Sequence, residues 1–289
     1  MPLVLAGYGV YKGSFTLELL EALDRADVVY VELYTAPHSN WVLEALKPWS
    51  HKVRAASRKS LEEGSARVVE EAASKFVVVM SPGDPLIATT HHALLAESRV
   101  RGVEARYIPG VSGVCSAKAY SGLSYYRFGR TVTIPGPWRG VKPYTPILTI
   151  YGNLCIDAHT LLLLDVADEG AQLDPREAAA ILLEVEDEVS RELGLKEIVK
   201  GTPAILIGGA GTPEPETMLY ESLQDIEAES RTLKQPSSII MPAPLNPIEK
   251  WLIETTYSKK LGETWTRRNY NSRIACEAYA RLKEFSYSL

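Results

Sequence analysis

The stretch Met80-Ser81-Pro82-Gly83-Asp84-Pro85-Leu86-Ile87-Ala88-Thr89-Thr90-His91-His92 constrains this chain more than any other. It follows residues 75–80, an apolar run rich in valine that reads as a buried strand of a parallel sheet. It precedes residues 93–100, which read as a helix. A loop in that place lies at the carboxyl end of a strand, where open parallel sheets take their ligands. Two prolines stiffen it, and Gly83 permits a tight turn or the close approach of another backbone. Asp84 is its single carboxylate, and no cation adjoins it in sequence. Pro82-Gly83-Asp84-Pro85 alone is ordinary turn chemistry; the whole strand–loop–helix string points to a site.

The segments around this loop repeat its logic. Residues 2–9 form a strand that runs into a glycine loop, Gly7-Tyr8-Gly9-Val10-Tyr11-Lys12-Gly13, which lacks full G-x-G-x-x-G spacing. Residues 16–26 predict an amphipathic helix with Leu17, Leu20, Ala22 and Leu23 on one side. A strand over 27–33, a short helix over 40–46 and a helix opened by the capping-box spacing of Ser60-Leu61-Glu62-Glu63 and running to 74 come next. A strand over 103–108 leads into Pro109-Gly110-Val111-Ser112-Gly113 and a small-residue helix. Alternating strands and helices predict a parallel sheet covered on both faces. Its strand-to-helix turns emerge on one side, so the glycine loop, the Asp84 loop and the Ser112 loop converge on one edge. Ser112 taken alone reads as an ordinary helix N-cap.

The second half is another α/β unit with more hairpin-like, antiparallel pairing. Residues 119–130 read as a polar, aromatic linker. Strands are predicted at 131–134, 160–166, 204–208, 217–220 and 238–241, the second of them fully buried by its leucine run. Helices lie within 143–158 and from Asp174-Pro175-Arg176-Glu177 to about 193, and one opens at Asn246-Pro247-Ile248-Glu249. Beyond residue 255 the chain turns charged and aromatic, with Lys259, Lys260, Arg267 and Arg268. Residues 272–285 have helical spacing, with Ile274, Tyr279, Leu282 and Phe285 as candidate contacts. These shifts divide the chain into an α/β domain over 1–123, a second over 124–250 and a helical extension over 251–289.

Composition excludes several classes of function. A net charge of −5 over 289 residues argues against general affinity for nucleic acid. No apolar run approaches a bilayer span, and the first residues enter a strand without a basic leader, so a cytoplasmic protein is expected. Cys115, Cys155 and Cys276 are odd in number and far apart, which reads as reduced, mostly buried thiols. No zinc spacing occurs, and His91 and His92 point apart on a helix, so no metal is expected.

Several segments together resemble one family. Gly7-Tyr8-Gly9-Val10-Tyr11 resembles its opening Gly-Leu-Gly-Leu-Tyr, and residues 29–35 its second-strand signature. Residues 83–91 match its Gly-Asp-Pro-Leu-x-Ala-Thr-Thr-His almost letter for letter, and residues 109–112 resemble its third loop. Residues 126–135 and 159–165 are similar to two later motifs. The family is diphthine synthase, a branch of the tetrapyrrole-methylase-like methyltransferases, and the likeness runs to about residue 250. The resemblance implies a two-domain α/β fold, a homodimer, and S-adenosyl-L-methionine (SAM) as methyl donor, leaving as S-adenosyl-L-homocysteine. It implies as acceptor the aminocarboxypropyl-histidine of translation elongation factor 2, methylated on its amine towards diphthine. Matching positions carry SAM contacts onto Val10, Asp84, Ile87, Ser112, Gly113, Leu164 and Ala210; where the family has a further histidine, this chain has Ser237.

Methyl transfer from a sulfonium is an in-line displacement governed by alignment and exclusion of water. It requires no nucleophilic side chain, and no Ser-His-Asp or Cys-His set is present, so no catalytic residue is expected. The acceptor amine must shed a proton. His91 and Tyr126 are candidate bases, against solvent as the acceptor and a helix-start role for His91. Arg127, Arg130 and the basic tail are candidates for docking an acidic patch of the protein substrate. The competing readings are a tetrapyrrole, corrin or ribosomal RNA methyltransferase of the same fold, and a non-catalytic SAM-binding module.

Overall fold

The computed structural model describes residues 2–36, 40–168, 170–228, 233–266 and 272–286. The chain divides into two compact units. The first comprises Met1–Ser116 with two later pieces, Val166–Ala171 and Gly211–Pro213; the second holds the remainder.

In the first unit, strands β1 (Leu3–Gly7), β2 (Val28–Glu32), β3 (Val53–Ala56), β4 (Val77–Ser81) and β5 (Ala105–Ile108) form one sheet in the order β3-β2-β4-β1-β5. Every pairing is parallel, as the alternation of segments requires. The central strands β1 and β4 are buried along their whole length. Their side chains alternate between faces with the strand period of two. Val4, Ala6, Val78 and Met80 face one cluster, with Leu19 and Leu23 of helix α1 (Leu17–Arg25) and Val42 of α2 (Trp41–Ala45). Leu3, Leu5, Val77 and Val79 face another, with Leu61 of α3 (Arg58–Leu61), Val68 and Val69 of α4 (Ser65–Ala72) and Leu94 of α5 (His92–Val100). Both faces are therefore dry, which is why β4 reads as an unbroken apolar run.

Three expectations for this unit are corrected. Leu17 is exposed, and Leu19 joins Ala22 and Leu23 in the buried stripe of α1, an i, i+3, i+4 set that leaves Leu17, in the first turn, facing outward. The single helix expected from Ser60 is two, α3 capped by Ser57 and α4 beginning after Gly64. Strand β3 was not expected; it is an edge strand with Arg54 and Ala55 exposed, so it shows no clean alternation.

The second unit is a mixed sheet in the order β6-β7-β10-β8-β9, built from β6 (Val132–Ile134), β7 (Thr160–Leu164), β8 (Ala204–Gly208), β9 (Glu216–Tyr220) and β10 (Ser237–Met241). Only β6–β7 is parallel; the other pairings are antiparallel, as the sequence suggested. After α6 (Gly113–Tyr120) come α7 (Tyr144–Cys155), α8 (Pro175–Leu193), α9 (Gln224–Glu227), α10 (Pro247–Thr256) and α11 (Ser272–Ser286). Asp174 caps α8, and Asn246 and Glu249 form the full capping box of α10. Helix α11 lays Ala275, Ala278 and Leu282 into this unit's core, and Ile274, Tyr279 and Phe285 pack around them. Arg267 and Arg268 lie outside the described residues. Among the described residues no helix is long and apolar enough to cross a membrane, and no group of metal-ligating side chains assembles.

The thiol expectation is overturned for two cysteines. Packing of α11 on α7 brings the Cys155 and Cys276 Cα atoms to 4.7 Å and joins them in a disulfide, while Cys115 stays free. A pairing across 121 residues is invisible in the sequence because the two helices meet only in the folded unit. Denatured, unreduced protein should therefore titrate one thiol, and three after reduction. Closing so long a loop contributes up to roughly 4–5 kcal/mol in the chain-entropy view, so reductant should lower the melting temperature, and Cys276→Ser should remove that sensitivity.

Candidate functional site

In the first unit, the loops after β1, β4 and β5 meet because β1 lies between β4 and β5. Gly9 and Gly83 exchange backbone hydrogen bonds, Gly9 N to Gly83 O at 3.1 Å and Gly83 N to Gly9 O at 2.9 Å. A Cβ on Gly110 would sit 2.0 Å from the Gly83 oxygen and 2.7 Å from the Gly7 Cα. One on Gly7 would sit 2.3 Å from that same oxygen. Three backbones thus touch where any side chain would force them apart. Gly83 itself has a φ of +63°.

Asp84 locks this junction. It is 4% exposed; its Oδ1 accepts from Leu86 N at 2.9 Å, and its Oδ2 accepts from Gly110 N at 3.1 Å and from the Tyr107 hydroxyl. Burial and the Asp84 carboxylate push the Tyr107 hydroxyl up to about 12. Asp84 therefore ties the second loop to the third. Ser112 caps α6, accepting from Cys115 N at 3.4 Å, so its helix-cap reading holds in the structure. Val10 packs beside Gly113, whose Cβ position is 3.5 Å from Val10 Cγ1, and also crowds Gly211. Ile87 is 37% exposed at the crest of its loop, next to Ala88, which adopts a φ of +58°.

Val10, Asp84, Ile87, Ser112 and Gly113 accordingly share one edge of the first unit's sheet. Leu164, Ala210 and Ser237 belong to the second unit, at the end of β7, just after β8 and at the start of β10. There the Ser237 hydroxyl donates to Gln172 Oε1 at 3.1 Å.

The ligand edge of the first unit has a second distinguishing feature. Four buried polar side-chain atoms of its described residues make no hydrogen bond: Ser14 Oγ, Arg58 Nε, Ser81 Oγ and His91 Nδ1. All four lie at a strand's carboxyl end or in the turn or helix start that follows it. Native folds pair nearly all such groups, so each exception calls for a partner or a role. His91 starts α5 without capping it through its side chain. Its ring Nε2 meets the buried Glu32 carboxylate at 2.6 Å, and Thr35 donates to the other Glu32 oxygen. That partnership joins residues 59 apart and could not be read from the sequence.

Two further expectations fall in the second unit. Tyr126, a candidate base, is 99% exposed. Arg127, a docking candidate, is engaged within the unit: it donates to the buried Glu249 carboxylate and to the carbonyls of Asp157 and Pro244, both at 3.1 Å. Glu249 also accepts from His159 Nε2 at 2.9 Å and from the backbones of Ser124 and Asn246. His159 Nδ1 accepts from Ala243 N, which fixes the proton on Nε2. Segment 119–130 is thus a packed strap rather than a loose linker. The Arg130 side chain remains exposed, with its backbone held by Asn153.

This cluster predicts a pH dependence. Burial depresses His159 below its usual 6.5, so its contribution is full above that value and is lost as pH falls. Burial alone would raise Glu249, but His159 and the backbone donors outweigh it and hold the carboxyl at about 2. Its contribution, roughly 3 kcal/mol, is full above its usual 4.5 and is lost as pH falls towards 2. Thermal melts should show stability declining in two stages on acidification, first below about pH 6.5 and then below about 4.5.

A family model described as Tetrapyrrole (Corrin/Porphyrin) Methylases matches residues 2–227. The diphthine synthase of Aeropyrum pernix is 42% identical over 272 residues, covering 93% of this chain and 92% of its own. That of Pyrobaculum aerophilum is 36% identical, covering 87% and 96%. Among solved structures, a conserved hypothetical protein from Aeropyrum pernix K1 superposes with a TM-score of 0.85 at 39% identity, covering 99% of this chain and 98% of that one. The C-terminal segment, expected to lie beyond the family likeness, thus has a counterpart there. A crystal structure of diphthine synthase gives 0.77 at 31% identity, covering 88% and 95%.

Proposed function

Because the chain belongs to the tetrapyrrole (corrin/porphyrin) methylase family, in its diphthine synthase branch, we propose that the glycine junction of the first unit holds SAM and that the acceptor is the aminocarboxypropyl-histidine of elongation factor 2. The chain is a methyltransferase of diphthamide formation. The observation that carries the site is the three-backbone contact at Gly7, Gly83 and Gly110, at the edge where parallel sheets bind ligands.

The residues present fit the donor. Val10 and Ile87 supply apolar surface for a methionine chain or adenine, Gly113 leaves its backbone open to close approach, and the orphaned hydroxyls of Ser14 and Ser81 supply polar partners. Asp84 acts by fixing the loops, since its oxygens are engaged within them. When bound, the sulfonium supplies an activated methyl group. The chain's part is to hold the reactants in line and exclude water, which is worth several kcal/mol. Tetrapyrrole, corrin and RNA acceptors are not favoured: the curated relatives are named diphthine synthases, and a net charge of −5 suits phosphate backbones poorly.

Under-modified elongation factor 2 incubated with SAM and this protein should gain methyl groups on the modified histidine by mass spectrometry. Transfer to corrin precursors or ribosomal RNA instead would overturn the acceptor assignment, and SAM binding without transfer to any acceptor would favour the binding-module reading. The reading includes a homodimer, which light scattering of the purified protein checks.

A further inference from the structure

Beyond the glycine junction, the carboxyl ends of β2 and β3 and the far end of the Asp84 loop build a second polar cluster within the first unit. Arg58 follows β3, and its guanidinium lies 5.2 Å over the ring of Tyr34, which follows β2. Arg58 Nε is buried and makes no well-aligned hydrogen bond; it faces the Asp168 carboxylate. Its ionic partner is Asp168, at 3.3 Å, and that carboxylate is 74% exposed, so the pair is weak and exchangeable. Tyr34 is raised well above the usual phenol range by burial and then by the Glu32 and Glu62 charges beside it. Glu62 accepts from Thr90 at 3.3 Å, one residue before His91, whose ring Glu32 holds. His91 is 3% exposed and leaves Nδ1 without a partner.

The chemistry of this cluster selects a ligand class. A guanidinium stacked on an aromatic ring is held rigid and presents a planar fork suited to a carboxylate. The Asp168 carboxylate on Arg58 and the Glu62 carboxylate beside Tyr34 would repel a phosphate but complement an ammonium group next to that carboxylate. The pattern matches a zwitterionic amino-acid head group. Resting on the diphthine-forming reading above, we propose that Arg58, braced by Tyr34, binds the α-carboxylate of the acceptor's aminocarboxypropyl group and so confines transfer to acceptors that carry one. Asp168 yields its place when the acceptor arrives. Glu32, through His91, keeps the neighbouring loop in position.

Steady-state transfer to under-modified elongation factor 2 with the Arg58→Ala variant tests this. The KM for the protein acceptor should rise roughly 30-fold, the effect of a lost charge-assisted hydrogen-bonded pair, while SAM affinity by calorimetry stays within about twofold, as expected of a residue outside the donor site. Guanidinium in the buffer should restore part of the activity, and Arg58→Lys should fall between the two. An unchanged KM would overturn the proposal, and so would a parallel loss of SAM affinity and melting temperature, which marks a structural role. Normal transfer by the wild type with no effect of Arg58→Ala sinks this inference alone; no transfer by the wild type sinks the acceptor assignment and this inference with it.

Discussion

Alanine at Gly110 is expected to abolish SAM binding. Its Cβ would stand 2.0 Å from the Gly83 carbonyl oxygen and 2.8 Å from the Gly7 carbonyl carbon. Those are backbone atoms, one at the end of β1 and one in the loop after β4, and cannot rotate away as a side chain does. Relief requires moving a loop, at about 3 kcal/mol or more, and the displaced loop is the one that carries Asp84 and its bond to Gly110 N. Calorimetry should find SAM affinity reduced at least 100-fold, the scale of that distortion at 1.4 kcal/mol per tenfold. Gly102→Ala is the control. Gly102 has a φ of +68° but open space where its Cβ would go, so only the left-handed backbone cost of about 1–2 kcal/mol applies. That variant should lose stability and keep SAM. If Gly110→Ala binds SAM like the wild type, the donor is not held at this junction.

The largest expected loss of stability is at Glu249. Its carboxylate, 2% exposed, holds Arg127, His159 and the backbone N–H groups of Ser124 and Asn246. Glu249→Ala leaves a cation and three donors facing one another in a buried space. Breaking such a pair by removing one partner costs about 3–5 kcal/mol, a fall in melting temperature of roughly 10 °C for a unit of this size. Glu249→Gln keeps the shape and should cost less. The same geometry explains why charge reversal at Arg127 would report on folding rather than on docking. A melting temperature unchanged in Glu249→Ala would refute this account of the strap.

The parts of the fold legible in the sequence were those set by local pattern. The valine run of β4, the leucines of β7 and the caps of α8 and α10 all announce themselves within a few residues. Strand β3 stayed hidden because a short edge strand with two exposed residues has no period to read. The convergence of the Val10, Asp84 and Ser112 loops followed from parallel topology alone, and the structure joins them through three glycines. What the sequence could not show is what distant segments do to each other. Asp84 looked like an unpaired ligand group because Tyr107 of β5 and Gly110 of the loop after it reach it from distant sequence. Arg127 looked like a surface cation because Glu249 is 122 residues away. The Glu32–His91 pair and the Cys155–Cys276 bridge escaped for the same reason.

Hydrogen exchange of the intact protein with and without SAM, read peptide by peptide, tests the placement of the donor most directly. Slower exchange at residues 7–13, 81–91 and 109–113 together is the predicted result. Saturating SAM that leaves all three loops exchanging at their free rates, while protecting another part of the chain, would contradict it.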